Sequence, residues 1–264
     1  MIAWRFDFLT MDYEMRPEHM RLAIILGLLA LAGPFAVDMY LPALPELAAD
    51  LNVSPGQTQA TLAFYFLTFG LAQLIYGPWS DQVGRKLPLY FGMGLFLIAT
   101  IGAAMAQTLE ALVLWRGLQG AGGAVAMVVP RAVIRDTETG PAATKMMAMI
   151  MLVIAISPMV APLTGALVSS FAGWRGIFLV MAAMAVMSLV LTGVALPETH
   201  KTENRTKFRM GSFFKGLGTL IRHPGFMCWT FIGAFGFSSF FVFIASAPFV
   251  YQTSYGLSDE NKKA

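Results

Sequence analysis

Apolar residues run along this chain in long stretches, broken by short polar segments. Seven stretches, roughly 22–42, 57–78, 87–107, 110–131, 145–168, 174–196 and 226–249, are each near the length of about 20 residues that a helix needs to cross a bilayer. The segments between them carry helix start and stop signals. Ser54-Pro55-Gly56-Gln57 reads as a capping box with proline at the first helical position. Thr108 can cap the fourth stretch, Pro197 stops the sixth, and Pro224 with Gly225 precede the seventh. The predicted organisation is an N-terminal segment 1–21, a six-span bundle 22–196, a linker 197–225, a seventh span 226–249 and a short tail 250–264. Within the linker, Phe213, Phe214, Leu217, Leu220 and Ile221 share one helical face, with Lys215 and Arg222 flanking it. That spacing predicts a short amphipathic helix at the membrane interface; an irregular linker with scattered apolar residues is the alternative.

Composition narrows the class. Of 264 residues, 57% are hydrophobic and 12% charged, and the mean hydropathy is +0.66. Soluble domains carry about twice that share of charge. A soluble enzyme, a nucleic-acid binder and a secreted disulfide scaffold are excluded, leaving an all-α polytopic membrane protein. The net charge of +3 is then loop charge that sets orientation, not a nucleic-acid footprint. Of the 18 lysines and arginines, 14 fall in the N-terminal segment and the loops on its side. Arg175, Lys262 and Lys263 lie opposite, and Arg116 is inside a span. The positive-inside rule therefore places the N-terminus and the 197–224 loop in the cytoplasm. Cys228 is the single cysteine, so no intrachain disulfide or thiolate cluster is expected. His19, His200 and His223 form no ligand pattern, and no metal is expected. Asp7, Asp12, Glu14 and Glu18, followed by so long an apolar run, argue against a cleaved signal peptide. Met11 and Met20 leave the start residue open.

Three ionisable residues stand in or at the mouth of spans: Asp38, Arg116 and Asp81. A charge at the bilayer centre costs about 2.5 kcal/mol or more, so it is usually functional and partnered. Counting inward at 1.5 Å per residue puts Asp38 roughly 6 Å and Arg116 roughly 9 Å from the outer end of their spans. An Asp38–Arg116 pair or a shared polar cavity is sterically reasonable, and a carboxyl so placed is a candidate proton switch. The alternatives are an interfacial acid at Asp38 and a snorkelling side chain at Arg116. Tyr65 and Gln73 on the second span, with Gln119 one turn beyond Arg116, are candidate cavity residues; helix-to-helix hydrogen bonding would also account for them. Gly117, Gly120 and Gly123 allow another backbone to approach the fourth span. Pro158 and Pro162, followed by Gly165, predict a bend in the fifth. Eighteen methionines suit either a promiscuous apolar pocket or plain packing.

These residues fall into recognisable motifs. Gly77-Pro-Trp-Ser-Asp81-Gln-Val-Gly84-Arg85-Lys86 resembles the loop after the second helix in the major facilitator superfamily. Arg116-Gly-Leu-Gln119-Gly120 is similar to the superfamily's fourth-helix arginine motif. Ala161-Pro162-Leu-Thr-Gly165-Ala166 is similar to its fifth-helix antiporter motif. Asp38-Met-Tyr-Leu-Pro42-Ala-Leu-Pro45 resembles the first-helix signature of drug:proton antiporters of the bicyclomycin-resistance (Bcr/CflA) type. The resemblance runs from about residue 20 to 258. It implies the six-helix N-terminal half of the fold plus one helix of the second half, and multidrug efflux by alternating access, with proton import driving export of hydrophobic or amphipathic small molecules across the inner membrane. No cofactor beyond the proton gradient and no enzyme activity follow from it. By resemblance, Asp38 and Arg116 belong to the coupling site, and Pro162 with Gly165 to the antiport bend. Gly77, Asp81, Gly84, Arg85 and Lys86 belong to a cytoplasmic gating loop. The residues themselves let Asp81 accept from a helix N-terminus and Arg85 pair with Asp81 or Asp136; positive-inside anchoring alone would also explain the loop's bases.

Ala161 replaces the antiporter motif's usual glycine, and Ala30 stands where some relatives carry a second acid, which favours a single-acid scheme. Family members continue beyond a seventh helix. A truncated or partial transporter product, lacking the C-terminal half as a partner, is therefore the second expectation. Export of amino acids or peptides rather than drugs is a third.

Overall fold

The computed structural model describes residues 17–205 and 210–255. Expectations resting on the other residues, among them Arg5, Arg16, Lys207, Arg209, Lys262 and Lys263, lie outside the described part. The chain divides into two compact units, Met1–Thr206 and Lys207–Ala264.

Among the described residues of the first unit, all the regular elements are helices. Its first span is a composite of α1 (Pro17–Ala30), α2 (Ala32–Asp38), a 3-10 turn (Leu41–Ala43) and α3 (Leu44–Asp50). Proline explains the breaks. Pro34 has no N–H to give to the Ala30 carbonyl, and Pro42 and Pro45 interrupt the ladder again. The second span is α4 (Pro55–Val83) and the third α5 (Lys86–Ala104). The fourth is α6 (Leu109–Gly123) running into α7 (Val125–Thr137). The expected capping box is present, with the Ser54 backbone N–H donating to Gln57 Oε1 at 2.9 Å. Thr108 Oγ1 accepts from the Ala111 N–H at 3.3 Å.

Spans five and six run end to end as α8 (Gly140–Val194), two helices that meet at Gly173. Its 55 residues would extend about 80 Å as a straight rod, far more than one bilayer. The fold resolves this at Gly173, whose φ of 66° and ψ of −179° are not helical. The six long apolar helices among the described residues thus make seven passes, because α8 turns back at Gly173. Residues Pro158 and Pro162 lie inside α8 at helical φ/ψ, and its one non-helical residue is Gly173.

Two close approaches set the packing. A Cβ on Gly120 would overlap the backbone carbonyl of Tyr65, so α6 lies directly on α4. A Cβ on Gly165 would overlap the carbonyl oxygen of Met39, which seats α8 on the turn that follows Asp38. The outer faces stay apolar: Ile75, Met159, Leu163, Phe171 and Val194 are all exposed, a surface that needs hydrocarbon or another helix against it.

The second unit consists of α9 (Met210–Arg222) and α10 (Pro224–Tyr255). The linker residues predicted to be an amphipathic helix are helical. His223 separates the two helices, its Nδ1 accepting the Phe226 backbone N–H at 3.2 Å.

Candidate functional site

The polar residues of the first unit gather in three places, one inside the bundle, one at the end bearing the 81–86 loop and a smaller one at the opposite end. The inner group centres on Arg116, which is fully buried. Its Cζ lies 4.5 Å from the ring centroids of both Tyr40 and Tyr65, a double cation–π contact. Its Nη1 donates to Gln119 Oε1. Gln119 Nε2 donates to Thr100 Oγ1 at 2.7 Å, and Thr100 donates to the Phe96 carbonyl at 2.6 Å. Nε and Nη2 of Arg116 have no hydrogen-bond partner among the described residues.

Asp38 is 3% exposed at the end of α2. Its Oδ2 accepts from Ser157 Oγ at 2.9 Å, and Ser157 immediately precedes Pro158 on α8. The expected direct Asp38–Arg116 pair is not formed: the ion pairs among the described residues do not include it. Tyr40, two residues beyond Asp38, and Tyr65 both lie against the guanidinium, and Tyr65 is within electrostatic reach of Asp38 as well as Arg116. Tyr65 Oη donates to the Gly33 carbonyl at 3.2 Å. Tyr40 Oη donates to Thr61 Oγ1 at 3.0 Å, since the Thr61 proton is committed to the Thr58 carbonyl. Of the cavity candidates, Tyr65 and Gln119 are thus core residues bonded across helices, the alternative the sequence left open. Gln73 is half-buried.

At the loop end, Arg85 is buried and its guanidinium joins three acceptors. Nη1 reaches Ser80 Oγ at 2.8 Å and Asp81 Oδ1 at 2.6 Å. Nε and Nη2 hold both oxygens of Asp136 at 2.7 and 3.0 Å. Burial opposes the arginine's charge, but Asp136 and Asp81 outweigh it and hold its pKa above the usual guanidinium value. The either-or pairing read from sequence is thus a bridge to both acids. Asp81 does not cap a helix. That position is taken by Glu198, which sequence reasoning missed: its carboxylate accepts the backbone N–H groups of Arg85 at 2.9 Å and Lys86 at 3.1 Å, at the start of α5, and that of His200 at 3.1 Å. Burial works against the Glu198 charge, yet these donors and the nearby Arg205 hold its pKa below the ordinary glutamate value. Gly84 is dictated twice over. Its φ is 100°, and a Cβ there would stand 2.7 Å from Glu198 Oε2. Gly77 by contrast faces open space. His200 completes the clasp, with Nε2 3.1 Å from the Asp81 carbonyl oxygen and Nδ1 3.7 Å from Asp136. The sequence signal for Glu198 was an acid directly after Pro197, in a loop otherwise dominated by bases.

A smaller cluster ties the opposite end. Glu46 on α3 accepts the Trp174 backbone N–H at 3.2 Å and the Ser169 hydroxyl, spanning the Gly173 reversal. Asp50 accepts from Trp174 Nε1 at 3.0 Å and Arg175 Nη1 at 2.7 Å. No group of three or more His, Cys, Asp or Glu able to hold a metal occurs among the described residues.

Comparison with known proteins agrees with this layout. The chain is 36% identical over 245 residues to "Uncharacterized MFS-type transporter YdgK" of Bacillus subtilis, covering 92% of this chain and 61% of that one. It is 32% identical over 234 residues to the bicyclomycin resistance protein homolog of Haemophilus influenzae, 89% and 59% covered. It is 30% identical over 243 residues to multidrug resistance protein D of Escherichia coli, 92% and 61% covered. The chain therefore spans about three-fifths of the length of these relatives. Among solved structures, the human organic anion transporter MFSD10 superposes with a TM-score of 0.61 at 20% identity, over 75% of this chain and 53% of that one. The proton:xylose symporter XylE gives 0.61 at 16%, over 71% and 48%. Both share the fold. Residues 26–263 match the Major Facilitator Superfamily, and the chain belongs to that family.

Proposed function

We propose that the chain supplies the proton-coupling half of an exporter for hydrophobic or amphipathic small molecules, of the bicyclomycin-resistance type, in the inner membrane with its N-terminus in the cytoplasm. The observation that carries the proposal is Asp38. A carboxyl buried within a membrane span is expensive to keep charged, and this one has a single hydroxyl for support, while Nε and Nη2 of the buried Arg116 carry three N–H bonds with no hydrogen-bond partner among the described residues. The names of the relatives, which include bicyclomycin and multidrug resistance proteins, support drugs as the cargo.

The geometry suggests how a proton would act. Protonating Asp38 removes the anion that Ser157 donates to, and Ser157 adjoins Pro158, where α8 already lacks a backbone hydrogen bond. Two turns further on, Gly165 rests on the Met39 carbonyl. The α8 helix thus touches the acid's own turn at both points, and a change of charge at Asp38 is felt by α8 directly. The clasp around Arg85 holds the ends of α4, α5 and α7 together while this occurs.

Everted vesicles from a drug-sensitive host test the reading. Expression of this chain, alone and joined to a family-type second half, is followed by drug-induced proton movement and drug accumulation. Proton-coupled export is expected, and Asp38→Asn is expected to abolish it while the protein still inserts. Wild-type coupling in the Asn variant would remove Asp38 from the mechanism. No effect on accumulation across a drug panel, by either form, would exclude drug export.

A further inference from the structure

Between Asn204 and Leu257 the chain has no aspartate or glutamate, yet it carries Arg205, Lys207, Arg209, Lys215 and Arg222. These five bases precede the membrane-length helix α10 directly. The positive-inside rule accounts for their presence but not for the arrangement of the helix among them. In α9, Phe214, Leu220 and Ile221 are exposed and share an arc with Phe213 and Leu217, while Lys215, Thr219 and Arg222 repeat at helical spacing on the opposite side. An open groove of about 530 Å³ runs along that polar side, lined by Lys215, Gly218, Thr219, Arg222 and His223, with Phe214 at its edge.

We infer that α9 docks on the bilayer surface and binds anionic phospholipid headgroups, making the seating of this linker dependent on membrane charge. Four to eight bases immediately beside a span read as an anionic-lipid site. An apolar helix face with bases on the other face is the second signal that stable surface attachment requires. Water is a poor cover for the exposed Phe214, Leu220 and Ile221, and a protein groove would give the bases no reason to be free of any acid over more than fifty residues. The charge and the apolar arc together select a lipid surface. The inference is independent of what the protein transports.

The test uses the whole chain in nanodiscs of phosphatidylcholine, with and without phosphatidylglycerol. On a Cys228→Ser background, a nitroxide is placed at Leu220→Cys or at Thr219→Cys, and its accessibility to oxygen and to a water-soluble nickel chelate is read. With phosphatidylglycerol the Leu220 label is expected to be oxygen-accessible and chelate-shielded, and the Thr219 label the reverse. Each base near the surface contributes about a fivefold bias towards docking, so Lys215→Gln with Arg222→Gln should lower the docked-to-undocked ratio on the order of tenfold or more. Raised salt should do the same to the unaltered linker by screening, a check that does not depend on the variant folding. Identical accessibilities in the two lipids would overturn the inference, as would equal shielding of both labels, which means a protein covers the helix. Displacement of the phosphatidylglycerol effect by inorganic phosphate alone would also overturn it, and would make the groove a free-anion site.

Discussion

Arg116 is fully buried with part of its hydrogen-bonding capacity unspent. A buried guanidinium normally spends its five N–H bonds on acceptors, and here Nε and Nη2 find none among the described residues. Replacing buried ionic groups with well-packed apolar residues is often neutral or stabilising by about 1–4 kcal/mol when no charged partner is left behind, and the ion pairs among the described residues include none with Arg116. Arg116→Met is therefore expected to unfold in detergent at the same temperature as the parent or higher, while proton-coupled export is lost. A large drop in unfolding temperature would show that the arginine is a structural anchor. The sequence made Asp38 and Arg116 legible, because a charge in an apolar run is conspicuous. It could not show that Tyr40 and Tyr65 both lie against the guanidinium, because that contact joins residues far apart in the chain. Glu46 and Glu198 were illegible for the opposite reason. An acid in a polar loop is unremarkable until the backbone N–H groups it accepts are known.

At the level of elements, the apolar runs and the helices do not end at the same residues. The second span was read as 57–78, whereas α4 runs from Pro55 to Val83. Apolar runs end where hydrocarbon ends, but helical hydrogen bonding continues through Ser80, Asp81 and Gln82, and that extension brings Ser80 and Asp81 within reach of Arg85. In α8 the reversal falls on Gly173, a glycine with positive φ between the fifth and sixth spans. Gly173→Ala places a Cβ at φ 66° and is expected to cost about 1 kcal/mol or more. Gly165→Ala should cost about 1–3 kcal/mol, since the Met39 carbonyl must move away. Thermal unfolding of the purified variants measures both. Gly165→Ala should also impair export, because the same contact joins α8 to the turn bearing Asp38.

Across the whole first unit, the motifs disclosed the family, and the repeat of one device at both ends emerged only from the fold. Glu46 and Glu198 each seat a carboxylate on backbone N–H groups at the start of a helical pass from which they do not themselves come. Because the Glu198 pKa is depressed in the folded state, its contribution is complete above the ordinary glutamate pKa of roughly 4.3 and disappears as pH falls through the lower folded value. Glu198→Gln should flatten the acid limb of the stability–pH curve and leave the neutral region less affected; an unchanged acid limb would rule the clasp out as its source. The two clasps are separated by the length of a membrane pass, about 24 residues or roughly 36 Å of helix, so in a sealed vesicle they are bathed by different solutions. Glu198 therefore samples the acidity of a single compartment. Acidifying the lumen and acidifying the bath are not equivalent treatments of this protein, and only the one that reaches Glu198 should loosen the loop around Arg85.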